Sequence, residues 1–210
     1  GHSLRAPGAS LSVSERGALF VLTLDGVERV PFSPIYGIDI ALEPVQQIGS
    51  GFENPADFDA TNGQELFVAD GSRVLRFSDE GLLVQTLTIP AVDEVQVTTG
   101  PTALPGEAVA VAAGEEGRLY VAESTRGGVQ GWREGGLADV IGGGGQPVSL
   151  ASRGRTLFVA DAADASIRVL DADGREVRRI RDDAMTDLSS ISLAGDRLVA
   201  LTSKSVVLFG

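Results

Sequence analysis

The stretch Leu157-Phe158-Val159-Ala160-Asp161 decides the fold, because it returns along the whole chain. It reads Leu19-Phe20-Val21-Leu22-Thr23, then Leu66-Phe67-Val68-Ala69-Asp70, then Leu119-Tyr120-Val121-Ala122-Glu123, and after the fourth copy Leu198-Val199-Ala200-Leu201-Thr202. Successive copies begin 47, 53, 38 and 41 residues apart. β-rich units repeating at roughly 40 residues are the signature of a β-propeller or a related array.

Each unit lays out as four short strands. The repeated phrase is aromatic and β-branched, which suits a strand buried on both faces between neighbouring sheets. Inner strands are expected at 9–15, 56–61, 108–113, 148–152 and 189–194, each followed by a glycine turn at Gly17, Gly63, Gly117, Gly154 or Gly195. Third strands are expected at 27–30, 74–77, 129–132, 167–170 and 206–209, and outer strands at 43–48, 82–89, 137–141 and 175–180. The fifth unit stops after its third strand, and Ser3-Leu4-Arg5-Ala6-Pro7 precedes the first inner strand. The expectation is an all-β, five-bladed β-propeller in one domain, 1–210, with blades near 8–48, 55–90, 107–142, 147–181 and 187–210. The N-terminal strand, about residues 3–6, would complete the last blade and so close the ring, removing two open sheet edges.

The unit Pro147-Val-Ser-Leu-Ala-Ser, then Leu157-Phe-Val-Ala-Asp161, then Ile167-Arg-Val-Leu-Asp-Ala-Asp-Gly174 resembles the NHL-type propeller repeat. The resemblance is strongest in the second to fourth units; in the first and last, Thr23 and Thr202 stand where the others carry an acid. NHL-type propellers more often have six blades. The resemblance implies a fold and a binding surface, and a range of activities: interaction modules, lactonase-like hydrolases and lyases. Fold analogy alone does not choose among them.

Composition removes several chemistries. The chain has 210 residues, no cysteine, one histidine (His2), 16 arginines, a single lysine and a net charge of −12. Without cysteine there is neither a disulfide framework nor a thiolate. With only His2 there is no base for a Ser-His-Asp triad and no histidine-rich zinc site. The histidine-held channel metal that the resemblance implies for NHL-type lyases has no ligands here. A strongly acidic chain is a poor binder of nucleic-acid backbone, and no apolar run reaches the ~18 residues of a membrane span. The Gly1-His2 start, without Met, is expected of a processed or engineered terminus. With the resemblance, it points to an extracytoplasmic location, periplasmic or secreted.

Carboxylate chemistry and oxygen-ligand metals remain. In a propeller the inter-blade connections and the hairpins between second and third strands share one face, here called the top. That face is expected to collect Asp57, Asp59, Asp70, Arg73, Glu123, Arg126, Asp161, Asp164 and Lys204. Of these, Asp57, Asp59, Arg73, Arg126 and Lys204 are the candidate ligand-binding residues. Asp57 and Asp59 lie two apart, so both leave one side of a strand. As a pair they would invite a cation, of calcium type if any, or a catalytic role; otherwise they line a wet channel while Phe58 and Ala60 pack into the core. For Asp70, Glu123 and Asp161, recurrence at equivalent places favours a structural role, each accepting backbone N–H groups of the turn that follows.

Other motifs read as architecture first. Asp171-Ala-Asp173-Gly174 lacks the ligand pattern of a calcium loop and sits where a hairpin is required. Gly142–Gly145 has neither a GK[ST] sequence nor a following helix, and reads as a crossover. Arg175, Arg178, Arg179 and Arg181 place charge on an outer strand, where it discourages edge-to-edge pairing. Two insertions, 33–42 with Tyr36 and Ile38, and 91–106 with Val92, Val95 and Val97, break the repeat. Long loops on a rigid scaffold carry function.

The leading functional expectation is a non-enzymatic propeller scaffold that binds a protein or a small-molecule ligand through its top face, with no cofactor. The alternative is a calcium-dependent hydrolase of the lactonase-like class. The resemblance implies that such enzymes hold their cation with Glu, Asp and Asn. Asn54 and Asn62 are the only asparagines, and Asn54 alone precedes an inner strand.

Overall fold

The structure is a computed structural model and describes residues 11–13 (backbone only), 19–23, 25–30, 46–60, 65–90, 106–125, 127–134, 136–141 and 145–210. Five antiparallel meander sheets follow one another along the chain. The first contains β1 (Leu11–Val13), β2 (Leu19–Leu22), β3 (Val27–Val30) and β4 (Gln46–Gly49). The second contains β5 (Pro55–Ala60), β6 (Leu66–Asp70), β7 (Arg73–Phe77) and β8 (Leu83–Thr88). The third contains β9 (Ala108–Ala113), β10 (Arg118–Glu123), β11 (Gly128–Arg133) and β12 (Gly136–Ile141). The fourth contains β13 (Pro147–Arg153), β14 (Thr156–Asp161), β15 (Ser166–Leu170) and β16 (Glu176–Arg181). The fifth has three strands among the described residues, β17 (Leu188–Ala194), β18 (Arg197–Thr202) and β19 (Val206–Phe209). These sheets are the five blades of a β-propeller.

The chain divides into two compact units, Gly1–Thr88 with blades 1 and 2, and Ile89–Gly210 with blades 3 to 5. The segment expected to close the ring, residues 3–6, lies outside the described residues, as do 33–42 and 91–105. No helix among the described residues is long and apolar enough to cross a membrane.

The repeated phrase forms the second strand of every blade, and its alternating side chains explain the stacking. In the first unit Phe20, Leu22 and Val27 of blade 1 pack on Phe58, Leu66, Val68, Leu75 and Phe77 of blade 2, with Phe52 set edge-on to Phe77 at a centroid distance of 6.0 Å. In the second unit Ala110, Ala112, Tyr120, Ala122 and Val129 of blade 3 meet Leu150, Leu157, Val159 and Leu170 of blade 4. Ala151, Ala160 and Ile167 on blade 4's other face meet Leu188, Ile191, Leu198 and Ala200 of blade 5. Small residues on one face and larger ones on the next let adjacent sheets interdigitate. At about 25 cal/mol per Å² of apolar surface, these seams are the main favourable term.

Hydrogen bonds tie the second unit's blades along the inner strands. Ser152 Oγ donates to the Ala113 carbonyl at 2.5 Å, and Ser149 Oγ accepts the Ile191 N–H at 3.1 Å. Arg118 Nη1 reaches the Ala172 carbonyl at 3.0 Å. The third and outer strands share a recurrent bulge: register shifts at Arg76/Phe77, Gly131/Trp132 and Val169/Leu170. A bulge adds local twist, and its repetition keeps three outer strands in the same relation to their blades.

The backbone approaches a neighbouring segment closely at Gly127. Gly127 adopts φ +65°, and a Cβ there would strike the Gly145 carbonyl. Gly117 has a similar φ, +70°, with open space around it. Gly117→Ala should therefore cost only the left-handed penalty, about 1–2 kcal/mol. Gly127→Ala adds a backbone collision, and its cost should be clearly larger, about 3 kcal/mol. Urea unfolding of the two variants checks this; equal costs would contradict the close approach of the two chain segments.

Candidate functional site

The acid that ends the repeated phrase is buried in blades 2, 3 and 4: Asp70, Glu123 and Asp161 are each at most 4% exposed. A buried carboxylate needs a full set of donors, and for Asp70 and Asp161 most of the backbone donors come from the crossover that leads into the same blade. Asp70 Oδ1 accepts the N–H of Glu53 at 2.8 Å and of Asn54 at 2.6 Å. Its Oδ2 takes both Nε (2.9 Å) and Nη2 (2.7 Å) of Arg73. Asp161 Oδ1 accepts the N–H of Gln146 at 2.9 Å and of Ala163 at 3.1 Å, and its Oδ2 lies 3.5 Å from Arg168 Nη2. The main chain repeats the tie: the N–H groups of Gly71, Ser124 and Ala162 donate to the carbonyls of Asn54, Glu107 and Gln146 at 3.1, 3.0 and 2.9 Å.

The Asp70 and Asp161 carboxylates are each a latch joining the end of the second strand to the segment entering the inner strand. The following turn contributes one backbone donor, Ala163 to Asp161, so most of the backbone donors lie upstream of where the sequence placed them. Where threonine replaces the acid, the shorter side chain closes its own hairpin. Thr202 Oγ1 accepts the N–H of Ser205 at 3.0 Å and of Lys204 at 3.3 Å, and Thr23 Oγ1 donates to the Gly26 carbonyl at 3.0 Å.

The candidate ligand-binding residues divide as follows. Arg73 forks onto Asp70 and also lies 3.2 Å from Glu53 Oε1. Asp57 and Asp59 stand on β5 opposite Ala69 and Phe67, both half-buried, with Phe58 between them buried in the core of the first unit. Asp59 Oδ1 accepts the Ala60 N–H at 2.8 Å. Lys204 is exposed on the hairpin that Thr202 closes, and Arg126 lies outside the described residues. Asp57, Asp59 and Arg73 belong to the first unit, Lys204 to the second. Among the described residues no three Asp, Glu or His side chains come together as a cation-binding group. Asn54 contributes its backbone to the Asp70 latch, and Asn62 lies outside the described residues.

A second polar cluster lies on the blade-4 hairpin and outer strand. Asp164 Oδ2 takes Arg179 Nη1 and Arg181 Nη2, both at 2.7 Å, and its Oδ1 takes Ser166 Oγ at 2.5 Å. Arg179 also forks onto Glu176 at 2.8 and 2.6 Å. The Ser166 hydroxyl foremost, with Arg181 and Arg179, holds the Asp164 carboxyl down to about 2 against partial desolvation. The Arg179 hydrogen bonds likewise lower Glu176 and, from the other side, raise Arg179. Two arginines of the basic strip are thus neutralised locally. Asp171 closes the adjoining hairpin, its Oδ1 accepting the N–H groups of Asp173 and Arg175 at 2.9 Å, which is a turn and not a cation loop.

Sequence reasoning missed Arg168. It is 7% exposed, faces Val159 and Arg179 across its sheet, and its Nε and Nη2 make no hydrogen bond. The only sequence signal is a charge inside an otherwise apolar third strand.

No protein-family model and no curated protein matches this sequence. Solved structures do share its fold. The computationally designed protein Ika8 aligns over 96% of this chain at 13% identity with a TM-score of 0.60. A virginiamycin B lyase from Staphylococcus aureus aligns over 95% at 11% identity and 0.62, and the WD40 β-propeller domain of Doa1 over 98% at 10% and 0.63. The aligned part spans 57%, 68% and 66% of those chains respectively. All three likenesses concern the fold alone.

Removing the latch should be far more costly than removing the surface cluster. Asp161→Ala leaves two part-buried N–H groups unpaired and Arg168 without its counter-charge; the expected loss is about 3 kcal/mol. Asp164→Ala acts on a partly exposed network and should cost under about 1 kcal/mol. Chemical denaturation measures both, and the reverse order would overturn the latch.

The Asp164 pKa is depressed, so its stabilisation is present above the unfolded value near 4 and fades as pH falls towards 2. Asp164→Asn should flatten the acid limb of the stability curve between about pH 4 and pH 2. An NMR titration should place the carboxyl midpoint near 2; a midpoint near 4 would contradict the cluster.

Proposed function

We propose that this chain is a non-enzymatic propeller scaffold that binds a protein or small-molecule ligand through the hairpin ends of its blades. The carrying observation is how its recurrent acids are used. Asp70 and Asp161 spend their oxygens on backbone N–H groups and arginines inside the fold. They are therefore poor candidates for a proton or a cation. What they produce is a set of rigidly held loop ends, which is what a binding surface requires. Within propellers we assign the chain to the NHL type, supported by the acid-terminated Leu-Phe-Val-Ala-Asp phrase and its spacing.

Propeller neighbours include an enzyme as well as a WD40 domain, so the fold does not choose between catalysis and binding. A lyase of that neighbour set is catalytically inactive as a histidine-to-alanine variant. The single histidine here is His2, outside the described residues. A second reading, a calcium-dependent hydrolase, is favoured by one observation: Asp57 and Asp59 share a face of β5 across the buried Phe58.

Thermal unfolding in EDTA against millimolar Ca²⁺, with Mg²⁺ as control, separates the two. A cation site filled at 100 times its Kd adds about 2.7 kcal/mol, a rise of roughly 5–10 °C for a chain of this size. The scaffold reading predicts no such shift and no turnover of lactones or phosphoesters. A rise of that size, abolished by Asp57→Ala, would replace it with the hydrolase.

A further inference from the structure

One glycine in blade 3 opens a cleft against blade 4. In every blade the second residue of the repeated phrase stands opposite a third-strand residue. That residue is Arg29, Arg76, Val169 and Leu208 in blades 1, 2, 4 and 5, but Gly131, opposite Tyr120, in blade 3. Gly131 has no positive φ, so its backbone does not call for glycine. A Cβ there would have Ile141 Cδ1 as its nearest neighbour, 3.4 Å away. The blade-4 hairpin forms the opposite wall. Arg118 Nη1 holds the Ala172 carbonyl at 3.0 Å, and Gly174, at φ +76°, lies so near Ile141 that a Cβ would collide with its Cγ2. The cleft lies within the second unit, at the end of β10 and β14 away from Glu123 and Asp161. The hairpin ends of the scaffold proposed above are at the other end of these strands.

We propose that this cleft binds a saccharide, with one hydroxyl seated at its base and the sugar ring across its mouth. Three observations favour that chemistry. The first is depth. The closed base holds about 20 Å³, room for one water-sized group such as a hydroxyl, and the space between the walls out to solvent is about 300 Å³. The second is Tyr120. It lines the cleft and is 4% exposed, and its hydroxyl makes no hydrogen bond among the described residues, yet is not sealed off. A phenolic hydroxyl both donates and accepts, as a sugar hydroxyl does, while its ring and Ile141 supply an apolar wall. The third is charge. Arg118 and Arg133 share the cleft with Asp139 and Asp173, and Arg133 and Asp139 form no ion pair among the described residues. Two guanidinium groups and two carboxylates balance, which disfavours an anion and a cation alike. They offer donors and acceptors to a neutral ligand whose neighbouring hydroxyls do both.

A ligand seated one hydroxyl deep buries little surface, so its dissociation constant is expected at about 1–10 mM.

The test uses the full chain. Trp132, the only tryptophan, lines the cleft beside Gly131, so its emission reports on this site. Titration with D-glucose, D-galactose, D-mannose and N-acetyl-D-glucosamine to about 100 mM should give a saturable change with at least one of them. Tyr120→Phe keeps the ring and removes the hydroxyl; it should weaken that sugar about 3–10-fold at an unchanged melting temperature. Gly131→Ala puts a methyl group in the base and should weaken it at least about tenfold. No saturable change with any sugar overturns the proposal, and so does a response to inorganic phosphate alone. Binding that both variants leave intact would place the sugar elsewhere, and the proposal fails.

Discussion

The buried carboxylate at the end of the second strand is the constraint on which the geometry of blades 2 and 4 depends. Asp70 and Asp161 sit where three pieces of chain converge: the crossover entering the blade, the strand that ends there, and the hairpin or strand that follows. Apolar burial stacks one sheet on the next but is indifferent to where a loop lies. A charged acceptor with fixed donors is directional, and its hydrogen bonds are stronger than neutral ones. The latch therefore sets the path of the loop ends, while the seams supply most of the stabilising energy. The two roles fall on the same five-residue phrase, the seams on its first four residues and the latch on its last.

This division of labour bears on function. Acids at strand ends on the loop side of a propeller look like ligands until their partners are counted. Asp70 is satisfied by two N–H groups and a guanidinium fork, and Asp161 by two N–H groups beside Arg168. Arg73 likewise serves Asp70 and Glu53. In the scaffold we propose, polar groups used for architecture leave loop tips such as Lys204 for recognition, which needs their positions held more than it needs reactive groups.

Much of the fold was legible in the sequence because the buried phrase leaves a strong periodic signal. The second and third strands of blades 2 to 5 fall within one or two residues of where the repeat puts them. The turn at Asp171 was also legible, since Asp and Gly at those places leave few other conformations. The donor set of the latch was not. It spans 15 to 17 residues, from Glu53 and Asn54 to Asp70 and from Gln146 to Asp161, and backbone donors have no residue signature. Arg168 was hidden for a related reason: a single charge in an apolar strand says nothing about which counter-charge the neighbouring strand supplies.

The central claim is that the recurrent acid is energetically coupled to its partners within the fold. A double-mutant cycle on Asp70→Asn and Arg73→Gln, followed by urea unfolding, tests it most directly. The latch predicts a coupling of about 1–3 kcal/mol, with the double variant less destabilised than the sum of the singles. Additivity within about 0.3–0.5 kcal/mol would show that the two side chains do not depend on each other, and would contradict the account.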